Sequence, residues 1–246
     1  MSDLPEATRR PRYRLTRSQQ DNGFAILLVL PAFIILAIVI FLPIVRGVWV
    51  SFTDYTLATR LNPQWNNFQN YIRLFESGEI FTYFGNTLVF VASVVGLQLV
   101  VGMIIALLLN MEIRGRNLLR ALFVLPWTIP SVVVALLWTW MFQPQYGVLN
   151  YLLTQVGILD GPQQWTQHPQ LAMVSIVIAA AWRQIPMMIV MLLAGLQSIP
   201  SDLIEAAQID GAGALQLFRR ITVPLLAPVI STTVLIAIIN NFQMFT

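Results

Sequence analysis

The chain has no cysteine. Disulfides, thiolate metal sites and cysteine nucleophiles are therefore excluded. It has one histidine, His168, in a predicted loop. A histidine metal cluster is excluded on that count, and a Ser-His-Asp triad is not expected. Lysine is absent as well, since all 14 basic residues are arginine. An ordinary nucleotide-binding P-loop needs its lysine on the phosphates, so this chain does not hydrolyse ATP by that route. Charge of either sign is scarce. Charged residues make up 10% of the chain and hydrophobic ones 57%, whereas about 25% charge is typical of a soluble domain. The sequence shows no internal repeats, no low-complexity tracts and no soluble domain. We expect no catalytic residue, no metal site and no cofactor in this chain.

Long apolar runs are what the sequence has in quantity. Five segments reach the roughly 20 residues that a membrane-crossing helix needs. They are Phe24–Val45, Phe84–Asn110, Ala121–Phe142, Leu171–Leu196 and Val223–Thr246. The first is too long for a signal peptide, and no small-residue cleavage site follows it. The expected fold is all-α, a polytopic transmembrane helical bundle. Residues 1–23 form an N-terminal tail, and residues 24–246 form the membrane domain.

Arginine placement orients the spans. Arg9, Arg10, Arg12, Arg14 and Arg17 precede the first span, Arg114, Arg116 and Arg120 lie between the second and third, and Arg219 and Arg220 follow the fourth. These regions are expected to be cytoplasmic. The opposite loops hold Arg46, Arg60 and Arg73 beside Asp54, Glu76 and Glu79, and residues 143–170 hold no arginine. This topogenic role accounts for the net charge of +3 without a nucleic-acid partner. Five spans starting inside leave Thr246 outside, so a sixth helix is expected beyond it.

The loops have their own character. Trp49, Phe52, Tyr55, Trp65, Phe68, Tyr71 and Phe75 crowd residues 46–83. They suit either anchoring at the membrane interface or an external protein partner. Gly147, Gly157, Gly161 and Pro162 predict turns around one short helix near Val148–Gln155.

One polar segment stands out between the last two spans, from Ile199 to Leu225. Pro200 ends the preceding helix. Asp202 with Glu205 three residues on suggests a capping box. Leu203, Ile204 and Ala207 share a helical face, Gly211 and Gly213 permit a sharp turn, and Leu215 and Phe218 lie on a second short helix. Such a surface helix serves either as an amphipathic connector or as a handle docked in a partner's groove.

Glu205-Ala206-Ala207, then Asp210-Gly211-Ala212, then Phe218, Ile221 and Pro224 resemble the EAA motif of ABC importer permeases. The likeness extends upstream through Trp182, Pro186 and the run from Leu193 to Pro200, and it is similar to the sugar-importer, MalF-type branch. Ser51-Phe52-Thr53-Asp54, Asn86-Thr87 and Leu125-Pro126 with Pro130 add weaker matches, so the resemblance covers nearly the whole chain. A large extracytoplasmic insertion found in the maltose permease has no counterpart here, and the family's final helix is the one expected beyond Thr246.

The resemblance implies a subunit forming half of a translocation pathway. Its partners would be a second homologous permease, a cytoplasmic ATPase dimer that binds ATP and Mg, an extracytoplasmic sugar-binding protein and the lipid of a bacterial inner membrane. Glu205, Ala206, Ala207, Asp210 and Gly211 would contact the ATPase, as a coupling helix. The cargo would be a di- or oligosaccharide.

Substrate contacts are expected at polar breaks within spans, where polar groups usually line a cavity or pair with one another. Arg183 lies 12 residues beyond Leu171, about 18 Å along a helix and so near the midplane. Pro186 is expected to loosen that turn. Trp182, Arg183, Gln184, Met187, Asn240 and Asn241 are the candidates. The asparagines equally suit interhelical bonding, and Arg183 equally suits pairing with a neighbouring subunit. Glycerol phosphate, a polyol or another small solute is the alternative cargo. A membrane scaffold or channel without an ATPase is the alternative class.

Overall fold

The computed structural model describes residues 17–56 and 62–245. Arg9, Arg10, Arg12, Arg14 and Arg60 lie outside the described residues. Among the described residues the only β feature is an isolated bridge between Thr53 and Trp65. The chain divides into two compact units after Ile80.

The first unit is built on one long apolar run. Helix α1 (Arg17–Leu36) passes through a π-helical turn at Ala37–Phe41 into α2 (Leu42–Ser51). Pro43 has no N–H to give to the turn before it, and a wider turn accommodates that loss. Beyond α2 the chain folds back on itself. Asn70 Nδ2 donates to the carbonyls of Ser51 and Thr53, both at 2.9 Å. The Phe52 ring packs against Trp65, Phe68 and Tyr71 at centroid distances of 5.0–5.3 Å. Asn67 and Phe68 adopt left-handed φ values of 49° and 65° to turn the chain into α3 (Gln69–Glu76). The loop aromatics are thus first of all packed on one another.

The second unit begins within α4 (Glu79–Asn110) and continues through α5 (Arg116–Thr128), α6 (Ser131–Met141), α7 (Val148–Gln155) and α8 (Pro169–Gln197). Three further helices follow: α9 (Ser201–Ile209), α10 (Ala214–Leu217) and, after a π-helical turn at Phe218–Thr222, α11 (Val223–Phe245). The core joins Phe90, Val94 and Leu109 of α4 to Met188 and Leu192 of α8 and Leu226 of α11. Lipid is as apolar as these side chains, so close packing rather than hydrophobic burial holds such helices together. Two glycines allow the approach. A Cβ on Gly102 would stand 2.6 Å from Met188 Cγ, and one on Gly195 would stand 2.6 Å from Leu226 Cδ1.

Four expected spans are single runs long and apolar enough to cross a membrane: Phe24–Ser51, Glu79–Asn110, Pro169–Gln197 and Ala214–Met244. The expected span Ala121–Phe142 is not one straight helix. It is α5 and α6, bent by 97°. Ile129 lies before Pro130 and is extended (φ −79°, ψ 130°), because a residue preceding proline is pushed out of the helical region.

Two local expectations also change. Helix α9 starts at Ser201 with Pro200 as its cap and no side-chain cap bond; Asp202 sits in the first turn instead, where a carboxylate favours the helix dipole. Pro186 lies inside α8, which runs without a break from Pro169 to Gln197. Its missing hydrogen bond is tolerated within packed neighbours.

The glycine contacts give a direct test. Gly102→Val should cost about 1–3 kcal/mol by overpacking against Met188. Gly96→Val on the same helix, where a Cβ meets nothing within 4 Å, should cost far less. Thermal unfolding of the two variants in detergent, followed by loss of the monodisperse peak, separates them.

Candidate functional site

Helices α8 and α11 bring the expected amides together. Gln184 Nε2 donates to Asn241 Oδ1 at 3.0 Å, and it also lies 3.2 Å from the Met244 sulfur. Asn241 Nδ2 donates in turn to the Ala237 carbonyl at 2.8 Å. Asn241 is fully buried, at 0% exposed, so its amide joins helices in this conformation. Asn240, one residue before, is exposed. Successive residues of a helix point about 100° apart, which is why the pair divides in this way.

Arg183 and Trp182 face elsewhere. Arg183 lines a cavity of about 290 Å³ between α4, α6 and α8, together with Phe90, Trp138, Thr139 and Phe142. The Arg183 Nε is buried without a hydrogen-bond partner, and so is the Trp138 indole nitrogen. Both are donors only. Two buried donors without a partner in the chain thus sit on residues that line this cavity. Trp182 packs edge-on against Trp138 at 5.9 Å and helps to wall the apolar cluster of Val134, Trp138, Phe142 and Trp165. Met187 lies on the side of α8 that Gln184 occupies, and the two share a second, smaller cavity.

That smaller cavity contains a residue the sequence reading passed over. Gln98 on α4 is 1% exposed, and its Nε2 has no hydrogen-bond partner. It lines the cavity with Gln184, Thr233 and Asn240. The available signal was a lone amide inside the apolar run from Val94 to Met103.

The connection from α8 to α11 forms a projecting knob. Glu205, Ala206, Asp210 and Gly211 are exposed, and Ala207 is half-buried. Gly211 has φ +82°, a conformation that suits glycine, and a Cβ there would meet no neighbour within 4 Å. Gly213 is in ordinary extended backbone (φ −73°, ψ 165°), with its N–H donating to Gln216 Oε1 at 3.2 Å. The turn after α9 is closed by Ala212 N–H on the Ala207 carbonyl at 2.9 Å. Ile204 and Ala207 face inward, but Ile209 is 86% exposed and Leu215 67%. The knob therefore presents apolar side chains framed by Glu205, Asp210, Arg219 and Arg220.

The wall around the cavities is held by buried polar contacts outside the spans. Asn150 on α7 accepts from Trp165 Nε1 at 2.9 Å and from the Gln163 N–H at 3.1 Å, and it donates to the carbonyls of Gln143 and Gln163. These bonds tie the segment between α6 and α8 into one folded piece.

Comparison with known proteins gives a consistent picture. Residues 98–246 match the family described as "Binding-protein-dependent transport system inner membrane component". The trehalose/maltose transport system permease protein MalF of Thermococcus litoralis is 35% identical over 220 residues, 89% of this chain and 73% of that protein. The sulfoquinovosyl glycerol transport system permease protein SmoG of Agrobacterium fabrum is 33% identical over 235 residues, 96% of this chain and 76% of that one. Among solved structures, a bacterial ABC transporter that imports the acidic polysaccharide alginate superposes with a TM-score of 0.75 at 24% identity, covering 90% of this chain and 74% of that chain. That structural likeness concerns the fold.

The Gln184–Asn241 bond can be measured by a double-mutant cycle. Gln184→Ala and Asn241→Ala, alone and together, should show a coupling energy of about 0.6 kcal/mol, with ~1.7 kcal/mol as the upper end for interhelical bonds in membranes. Reversible unfolding in mixed micelles supplies the four stabilities.

Proposed function

Because the chain belongs to the family of binding-protein-dependent transport system inner membrane components, an integral inner-membrane family, we propose that it is one of two transmembrane subunits of an ATP-driven importer for a di- or oligosaccharide. A separate cytoplasmic ATPase dimer binds ATP and Mg and performs the hydrolysis; this chain works as a transport subunit without chemistry of its own. An extracytoplasmic sugar-binding protein delivers the cargo, and a second permease completes the pathway. The N-terminus lies in the cytoplasm, as the arginine distribution suggests.

The observation that carries this reading is the knob between α8 and α11. Its most exposed apolar side chain, Ile209, is 86% exposed, and a Cβ on the nearby Gly211 would meet no described neighbour within 4 Å. An exposed apolar tip with a polar rim suits insertion into a partner's groove. Glu205, Ala206, Ala207, Asp210 and Gly211 form that contact, and closure of the ATPase dimer moves α9 and with it α8. The sugar names of relatives that align over most of their length support the cargo class.

Solute passes along α8 and α11. Arg183 lines the larger cavity there, and Gln184, Met187 and Asn240 line the smaller one. Asn241 acts through Gln184, which it holds, and Trp182 acts through the aromatic wall it completes. These amides and the guanidinium suit sugar hydroxyls, which both donate and accept. Glycerol phosphate or a polyol is not favoured by any observation here.

Ile209→Asp decides between this reading and a scaffold or channel without an ATPase. The side chain is exposed, so the fold should survive. Copurification of the ATPase subunits and ATP-dependent sugar uptake in vesicles should each fall by about tenfold or more, the scale of a lost apolar anchor. Unchanged uptake with a normally inserted variant would refute the coupling role.

A further inference from the structure

The amide side chains of α4, α8 and α11 include Gln98, Gln184, Asn240 and Asn241. The Gln184 amide nitrogen and both ends of the Asn241 amide are engaged, with each other and with Ala237. Gln98 is different. It is 1% exposed and lies deep in an apolar helix, yet its Nε2 has no hydrogen-bond partner. A buried amide donor left unpaired is destabilising, and native proteins rarely keep one without a use. An amide whose task is to join helices would be bonded across them, as Asn241 is.

Gln98 opens onto the cavity it shares with Gln184, Met187 and Asn240. The volume there is about 20 Å³, room for about one water. A sugar needs far more, since ligand pockets run to roughly 300–1,000 Å³. The surrounding side chains are amides, a threonine hydroxyl and apolar groups, with no charge among them. Neutral donors and acceptors at short range match hydroxyl groups better than a phosphate or carboxylate.

We propose that Gln98 is a specificity-determining residue of the solute path, contributed by α4. When α4, α8 and α11 part, its Nε2–H donates to a hydroxyl oxygen of the passing sugar. In the arrangement described here, the cavity beside Gln98 has room for about a single water. The assignment rests on the reading of the chain as a sugar permease.

The test uses the assembled transporter in proteoliposomes, with its ATPase, second permease and binding protein, comparing wild type with Gln98→Leu. Leucine fills similar space and removes the unpaired group, so the thermal midpoint should be unchanged or raised. The probes are radiolabelled glucose, maltose and trehalose, each at saturating loaded binding protein. Uptake of the transported sugars should fall by about tenfold, the worth of one hydrogen bond, and unequally among them, while basal ATP hydrolysis is retained. Unchanged uptake overturns the assignment. So does a fall that is equal for every sugar and parallels a loss of basal hydrolysis or thermal stability, because that is the signature of a structural role. A wild-type complex that moves none of these sugars overturns the sugar reading itself and the assignment with it.

Discussion

Hydrocarbon supplies no water to satisfy a backbone or side-chain amide, and the second unit is arranged around that constraint. Backbone groups are satisfied within long helices. Side-chain groups must find each other, and Gln184 finds Asn241 at 3.0 Å. Serine and threonine hydroxyls in α11 turn back on their own helix, as Ser231 does to Ala227 and Thr233 to Val229. Against this background the groups without partners carry the information. Arg183 Nε, Trp138 Nε1 and Gln98 Nε2 are buried donors without a partner in the chain, on residues that line cavities.

Helix α8 connects the two parts of the proposed mechanism. It carries Arg183 and Gln184 near its middle and ends at Gln197, only a short turn before α9. From Gln184 to Gln197 is about 20 Å of continuous helix. Close contacts at Gly102–Met188 and Gly195–Leu226 hold that rod against both neighbours. Packed cores and interfaces move between discrete arrangements rather than deforming continuously. A displacement at the knob therefore reaches the amides as a shift of a whole helix.

Much of this was legible in the sequence, for physical reasons. Long apolar runs announce spans because nothing else stabilises them, and four of the five are found as single runs. The polar segment from Ile199 to Leu225 was visible as charge and glycine in an apolar chain. Prolines were harder to read. Pro31, Pro126, Pro186 and Pro228 all sit inside helices, while Pro130 marks a 97° bend. One-dimensional pattern does not distinguish a proline whose neighbours absorb the lost bond from one that leaves its predecessor extended. The amides divide in the same way. Asn240 and Asn241 drew attention as a pair, whereas a lone Gln98 in an apolar run has no pattern, and its lack of a partner appears only in three dimensions.

The knob has a bearing on how such a protein is made. Leu203, Ile209 and Leu215 hold hydrocarbon in water, at 46%, 86% and 67% exposure, each exposed square ångström costing roughly 25 cal/mol. Nothing among the described residues covers their exposed parts, and Gly211 shapes the turn that follows Ile209. On the proposed coupling role, a newly inserted subunit displays its incompleteness on its surface until the ATPase seats there. The same few side chains would then distinguish an orphaned part from an assembled one, which makes them a natural feature for quality control to read.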